Sequence, residues 1–178
     1  FGDNAKGDDG IKDRKYTNDD LATFTDGLAT TKYQSCRSDG VAVSNTTHND
    51  NDIILMRLAE AYLIYADAEA RAAGSNTTLD EGTRLINVLR ERANNADQHT
   101  TYTLREVLDE RGRELYYEGV RRTDLIRFGY YGGSSYTWQW KGGVHEGGKF
   151  EAYRNIFPIP QTELATNSKL KQNPGYSK

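Results

Sequence analysis

The chain has 178 residues, enough for one domain with its own hydrophobic core, and its net charge at pH 7 is −3. This charge excludes a nucleic-acid partner held by a basic surface field. The single cysteine, Cys36, excludes an intrachain disulfide, and the longest apolar run, residues 53–66, is shorter than the about 20 residues that a membrane-spanning helix needs.

The N-terminal segment, residues 1–51, is predicted to be rich in loops. Its first 20 residues are rich in Gly and Asp and show no hydrophobic period, and two short strands are predicted around Thr31–Cys36 and Gly40–Ser44. A solvated loop is favoured over a calcium site because the ligand spacing of an EF-hand and its closing Glu are missing. The oxygen ligands considered for calcium are Asp3, Asn4, Asp8 and Asp9.

Residues 52–129 are predicted to form helical hairpins. The first helix is expected to start at an N-cap on Asp52, to be buried nearly all round, and to end before Gly74. Arg57 and Glu60 lie within it, so we expect them to pair with each other or with neighbours, because an unpaired buried charge is costly.

The next helices carry local start and stop signals. Thr78 with Glu81, and again Thr103 with Glu106, have the spacing of a capping box. Gly112 falls on the apolar stripe of the third helix and predicts a close contact there, since a glycine inside a helix costs about 1 kcal/mol. A short fourth helix is predicted from residue 121 to 128, ending at Gly129.

Acidic and basic side chains are concentrated between residues 110 and 128. Three of the acids recur every four residues and share one helix face. Two carboxylates across a cleft would suit glycoside hydrolysis, but neighbouring arginines lower carboxyl pKa values, whereas a general acid needs a raised one. We therefore predict a structural charge clamp and no catalytic residue. Its predicted members are Arg57, Glu60, Glu110, Arg111, Glu114, Glu118, Arg121, Asp124 and Arg127.

The last segment, residues 130–178, is rich in aromatic residues and glycine. Tyr136, Trp138 and Trp140 alternate, so in an extended segment their rings would lie on one face and stack on sugars. Packing of the loop on its own helices is the other interpretation, and it is favoured for both tryptophans. Tyr130 and Tyr131 are further candidates for carbohydrate binding. No metal site and no cofactor are predicted, because the three histidines are far apart and have no ligand spacing.

Several stretches together resemble the C-terminal part of the SusD/RagB family, the glycan-binding outer-membrane lipoproteins of Bacteroidetes. These stretches are RLAEAYLIYADAEAR (57–71), INVLRERAN (86–94), DERGRELYYEGVRRTDLIRFG (109–129), FPIP (157–160) and LKQNPGY (170–176). The third of them contains the family pattern E-R-x-x-E-L-x-x-E-G-x-R-x-x-D-L-I-R, so the resemblance is specific.

The resemblance implies a mainly α-helical fold. Tetratricopeptide-like helical hairpins of an α/α superhelix would support a loop-rich, irregular lobe with few short strands. The chain would be the C-terminal portion of a SusD-like domain, divided at residues 1–51, 52–129 and 130–178.

The resemblance also implies a function that is not catalytic. The protein would capture oligosaccharides at the cell surface for import through a partner TonB-dependent transporter of the SusC type. An N-terminal lipid, attached to a part of the protein outside this fragment, would anchor it to the outer membrane, and the missing N-terminal half would complete the domain. The alternative is a helical protein-interaction scaffold with no sugar site in this portion.

Overall fold

The computed structural model describes residues 52–140 and 143–177, together with residues 32, 33, 39, 41–45 and 48. The chain divides into two compact units, Phe1–Ile54 and Leu55–Lys178. The second unit contains five α-helices and one 3-10 turn among its described residues. They are α1 (Leu58–Ala72), α2 (Asp80–Arg92), α3 (Leu104–Glu114), α4 (Arg121–Arg127), the 3-10 turn (Ala152–Asn155) and α5 (Gln161–Thr166).

The prediction of a mainly helical fold is confirmed. In the part of the chain that the structure describes, β-structure is limited to isolated bridges, and no helix combines the length and apolar character needed to cross a membrane. Residues 41–44 of one predicted strand are described and do not form a strand. The calcium candidates, Cys36 and most of the Thr31–Cys36 strand lie outside the described residues.

The hydrophobic core lies where α1, α2 and α3 meet. Leu63 of α1, Ile86 of α2 and Val107 of α3 are fully buried, and the ring of Tyr102 lies among them. The Tyr102 hydroxyl donates to Asn87 Oδ1 at 2.5 Å, so the one polar atom of this buried ring is satisfied. Each fully buried side chain of this size contributes roughly 1.5–3 kcal/mol, which makes the three-helix contact the main source of stability.

The predicted start of α1 at Asp52 is wrong. Residues 52–57 are not helical, Arg57 has an extended backbone (φ −148°), and the helix begins at Leu58. The Arg57 guanidinium binds Glu114 and Glu118, and this long-range contact replaces a local cap. The helix is also buried on one side only, since Leu58, Ile64 and Tyr65 are exposed.

The end of α1 follows the prediction. Gly74 has φ +70°, the left-handed conformation that favours glycine after a helix, and its amide donates to the carbonyl oxygen of Arg71.

The predicted Thr78–Glu81 capping box of α2 is wrong. Glu69 of α1 supplies the cap instead, and its Oε2 accepts hydrogen bonds from the amides of Leu79 at 2.8 Å and Gly82 at 2.9 Å. Thr78 is held elsewhere, because its Oγ1 accepts from the Tyr102 amide. A carboxylate at a helix N-terminus also interacts favourably with the helix dipole. Because Glu69 belongs to α1 and caps α2, it joins the two helices of the hairpin.

The predicted capping box of α3 is present. Thr103 Oγ1 accepts from the Glu106 amide, and the Glu106 carboxylate accepts from the Thr103 amide at 2.8 Å. The predicted end of α4 is also found, since Gly129 has φ +77° directly after the helix cap.

The extended FPIP segment is held against the C-terminal residues by side-chain amide groups. Gln172 bonds both the amide and the carbonyl oxygen of Ile159, and Asn173 donates to the carbonyl oxygen of Phe157. Gln161–Thr166 then forms α5 directly after this segment.

We predict that Gly82→Ala destabilises the protein. Helix propensity alone predicts a gain of about 1 kcal/mol. However, a Cβ at residue 82 would lie 2.3 Å from Glu69 Oε2 and 3.1 Å from Ala66 Cα, so the close contact dominates. Urea unfolding should show a loss of about 1–2 kcal/mol. In a Glu69→Ala background the cost of Gly82→Ala should shrink, and a gain in stability from the single change would contradict the contact.

We also predict an acid-sensitive cap on α3. Hydrogen bonds from the Thr103 amide and hydroxyl lower the pKa of Glu106 below its ordinary value of 4.5. A carboxyl group whose pKa falls on folding stabilises the fold above that value, and the contribution is lost as the pH falls through the folded pKa. Glu106→Gln keeps hydrogen-bonding groups but does not titrate. The drop in Tm from about pH 7 to about pH 3 should therefore be smaller in this variant than in Glu91→Gln, an exposed control. Equal drops in Tm in the two variants would show that Glu106 does not contribute to the pH dependence of stability.

Candidate functional site

The buried charge pair between Arg111 and Asp124 joins α3 to α4. Arg111 Nε donates to Asp124 Oδ2 at 2.8 Å, and both side chains are 4% exposed. Glu60 of α1 lies 3.9 Å from the same guanidinium. Because little water reaches this pair, each charge is stabilised mainly by the other. We call this pair, together with the ion pairs that connect the neighbouring helices around it, the brace.

Arg57 attaches the start of α1 to the region after α3. Its guanidinium donates to Glu114 Oε1 at 2.5 Å and, through two nitrogens, to the Glu118 carboxylate at 2.8 Å. Glu118 first, and then Glu114, raise the pKa of Arg57 above its usual range, so the charge is kept at any physiological pH.

Two further carboxylates of the brace connect different helices. Glu110 accepts from Arg90 of α2 at 2.9 Å and from Arg113 at 2.7 Å. Asp67 of α1, which the sequence analysis did not place in the clamp, accepts from Arg127 of α4 and from Arg71. The brace therefore includes all four of these helices.

Arg121 takes a different role from the predicted ion pair. Its Nη1 donates to the carbonyl oxygen of Leu108 at 2.8 Å, and the guanidinium lies directly over Gly112. A Cβ at residue 112 would be 2.8 Å from Nη1, which explains why a glycine stands on the apolar stripe of α3.

The acids of the brace are engaged by arginines. Glu110, Glu114 and Glu118 each accept hydrogen bonds from guanidinium groups, so their oxygens are used in contacts between parts of the helical bundle. Among the described residues no group of three or more His, Cys, Asp or Glu side chains is placed to hold a metal ion.

The aromatic rings after α4 pack mainly on one another. The Trp138 ring lies 5.0 Å from Tyr136, 5.6 Å from Tyr131 and 5.3 Å from Phe150, between ring centroids. Tyr130 contacts Tyr136 at 6.5 Å. We call these five rings the aromatic cluster. Its predicted members are half-buried, so part of each ring remains open to solvent.

Backbone contacts close the segment that carries the cluster. Trp138 and Gly148 exchange two backbone hydrogen bonds, at 2.9 and 3.0 Å, and the Gly133 amide donates to the carbonyl oxygen of Phe150. Gly147 has φ +73°, and a Cβ there would lie 1.8 Å from the Trp138 carbonyl oxygen. Only glycine fits this approach.

Trp140 is separate from the aromatic cluster. It has φ +59°, a conformation that is rare for a bulky side chain, and its ring meets His145 edge to face at 5.0 Å. The predicted common face of the three alternating rings is therefore only partly formed, because Tyr136 and Trp138 meet while Trp140 turns towards His145.

Sequence reasoning missed the residues that support these rings from elsewhere in the chain. Phe150 stacks on Tyr131 at 5.0 Å, Arg122 of α4 lies over Tyr131 at 4.8 Å, and Arg105 of α3 lies over Tyr130 at 4.9 Å. An arginine over a tyrosine contributes about 0.5–1 kcal/mol at an exposed site. No local pattern identifies such partners, because they lie 9 to 25 residues away in the sequence and meet the rings only in three dimensions.

We predict that Asp124→Ala lowers the free energy of unfolding by about 3–5 kcal/mol, because it leaves Arg111 buried without its charge partner. Glu81→Ala removes an exposed pair with Arg84 and should change stability by less than about 1 kcal/mol. Replacing both Arg111 and Asp124 by Leu should restore much of the loss. Equal melting of Asp124→Ala and the unaltered protein would show that the brace is not needed.

The chain is similar to known proteins along nearly its whole length. The model of the SusD family matches residues 2–176. The chain is 45% identical over 163 residues to the starch-binding protein SusD of Bacteroides thetaiotaomicron, and covers 28% of that relative. Because 92% of this chain is included in that match, the similarity extends well beyond the brace segment.

Solved structures show the same fold. A SusD superfamily protein from Parabacteroides distasonis is 27% identical with a TM-score of 0.58, over 78% of this chain and 30% of the other. Surface glycan-binding protein A from Bacteroides uniformis is 29% identical with a TM-score of 0.57, over 69% of this chain and 28% of the other. The match along nearly the whole sequence and the shared helical fold place this chain in the SusD/RagB family.

Proposed function

We propose that the protein to which this chain belongs binds oligosaccharides at the cell surface and does not hydrolyse them. The observation that carries this proposal is the 45% identity to a starch-binding protein over 92% of the chain. The chain spans less than a third of that relative, so the proposal concerns the whole protein.

The brace supports a role that is not catalytic. Its carboxylates are occupied by arginines, and their arrangement serves to hold helices together. A glycoside hydrolase built on Glu110, Glu114 or Glu118 is the weaker alternative. It would release reducing sugar from the glycan that the protein binds, and Glu114→Gln would abolish that release.

A second part of the proposal concerns transfer of the captured sugar to a transporter. The captured sugar would pass to a TonB-dependent transporter of the SusC type, with the protein held at the outer membrane by an N-terminal lipid. Family membership supports this part. Co-purification of a large outer-membrane transporter with the tagged full-length protein would test it, and recovery of the protein alone from gently solubilised membranes would count against it.

Trp140 is our candidate for direct contact with sugar. Tyr136, Trp138, Tyr130 and Tyr131 use much of their ring surface within the aromatic cluster, whereas Trp140 lies outside it. A ring that is held in a rare backbone conformation and half-exposed resembles the strained positions found at binding sites.

A scaffold with no sugar site in this portion is the second candidate. The observation that favours it is the dense packing of the aromatic cluster, where Tyr131 stacks on Phe150 at 5.0 Å and leaves little ring face for a ligand. In that case glycan binding by the full-length protein would not depend on residues 130–153.

A glycan array with the full-length protein tests the proposal. We expect retention of at least one plant, host or starch glycan. Trp140→Asn, which tolerates φ +59°, should weaken that binding about two- to tenfold, because one stacked ring contributes about 0.5–1.5 kcal/mol. Tyr65→Ala, at an exposed ring on α1 and outside the cluster, is the control. An array that retains no glycan would overturn the proposed function, and binding that is equal in Trp140→Asn would favour the scaffold for this portion.

A further inference from the structure

A cleft of about 700 Å³ lies between the end of α3 and the start of α4. This volume is within the range of roughly 300–1,000 Å³ that is typical of small-molecule sites. It is formed mainly by four arginines and two adjacent tyrosines. The residues that carry the argument are Arg111, Arg113, Arg121, Arg122, Tyr116 and Tyr117.

The cleft has an excess of positive charge. Arg111 and Arg113 are paired with carboxylates, but Arg121 and Arg122 donate to main-chain carbonyl oxygens. Within the described part of the chain no carboxylate forms an ion pair with either of them. Asp109 also lines the cleft, and it is paired with Arg105 outside it. A carbonyl oxygen accepts a hydrogen bond without neutralising charge, so no carboxylate of these residues neutralises the Arg121 and Arg122 guanidinium groups. Arg122 also packs on the Tyr131 and Phe157 rings, so Arg121 is the main candidate to bind an anion.

Two guanidinium nitrogens in the lining are buried without an acceptor. They are Arg111 Nη1 and Arg122 Nε, for which the described residues supply no partner. Arg111 as a whole is 3% exposed. Buried polar groups are normally hydrogen-bonded, so these two donors require an acceptor that the described residues do not supply.

The two tyrosines present aromatic surface at the same place. Tyr116 is 48% exposed and Tyr117 is 62% exposed, and their rings meet edge to face at 4.5 Å. Tyr117 has φ +62°, which bulky residues rarely adopt. Strained positions of this kind are concentrated at ligand sites, where surrounding structure holds the side chain in place.

We propose that this cleft is a subsite for an acidic saccharide, in which a sugar carboxylate binds the arginines and the sugar ring packs on Tyr116 and Tyr117. The planar guanidinium fork matches a carboxylate, and tyrosine faces match the apolar face of a pyranose. This inference rests on the proposed glycan binding and adds a preference for negatively charged sugar units.

The test is calorimetry on the full-length protein with the trisaccharide of galacturonic acid and with galactotriose, its neutral counterpart. We expect the acidic trisaccharide to bind at least about tenfold more tightly, and raised salt to reduce the difference, since it screens the charge. Tyr117→Asn, which tolerates the backbone conformation at an exposed site, should lower the affinity for the acidic sugar about tenfold without changing the melting temperature.

A second pair of variants separates charge from packing. Arg121→Gln should lower the affinity for the acidic trisaccharide, and Arg121→Lys, which keeps the charge, should recover part of it. Arg84→Gln removes an exposed arginine on α2, away from the cleft, and should leave binding unchanged. If Arg121→Gln does not fold, Tyr117→Asn decides the question.

The outcomes distinguish this inference from the proposed function. Equal affinity for the acidic and neutral trisaccharides, in a protein that retains glycans on the array, would overturn the acidic subsite and leave glycan capture intact. Loss of binding in Arg84→Gln equal to that in Arg121→Gln would show an unspecific effect of charge and would also overturn it. A protein that retains no glycan would overturn both.

Discussion

The buried pair of Arg111 and Asp124 is the interaction on which the rest of the structure depends. Four-percent exposure on both sides means that neither charge can be satisfied by water, so α4 has one position relative to α3. Glu60 brings α1 close to the same guanidinium. Since α4 ends at Arg127 and the aromatic residues from Tyr130 onwards follow directly, the pair also fixes where those residues leave the helices.

Arginine side chains determine the role of the acidic residues in this fold. A carboxylate that accepts guanidinium hydrogen bonds holds helices together, so a row of glutamates that would suit a glycosidase becomes a brace. The same residue type continues into the aromatic segment, where Arg105 and Arg122 lie over tyrosine rings. Arg121 donates to a carbonyl oxygen instead of a carboxylate, so its positive charge is not neutralised within the described part of the fold.

Interactions within a few residues of sequence were predictable. The Thr103–Glu106 capping box, the glycines that end α1 and α4, and the helical class of the fold all follow from contacts between near neighbours. The family pattern around residues 110–127 identified the acids and bases of the brace, although Asp67 was missed. The carbohydrate contacts among the aromatic residues remain a prediction, because rings that alternate in sequence do not reveal what covers them.

By itself the sequence determined the presence of the helices, the capping box of α3 and the family, because hydrogen bonds over three or four residues and side-chain periodicity are local properties. Only the tertiary structure decided the true start of α1, the cap of α2 and the cleft beside Tyr117. Arg57 reaches Glu118 across 61 residues, and Glu69 caps a helix ten residues ahead. Contacts at such separations override local preference, since a buried or shared charge is worth more than a single cap.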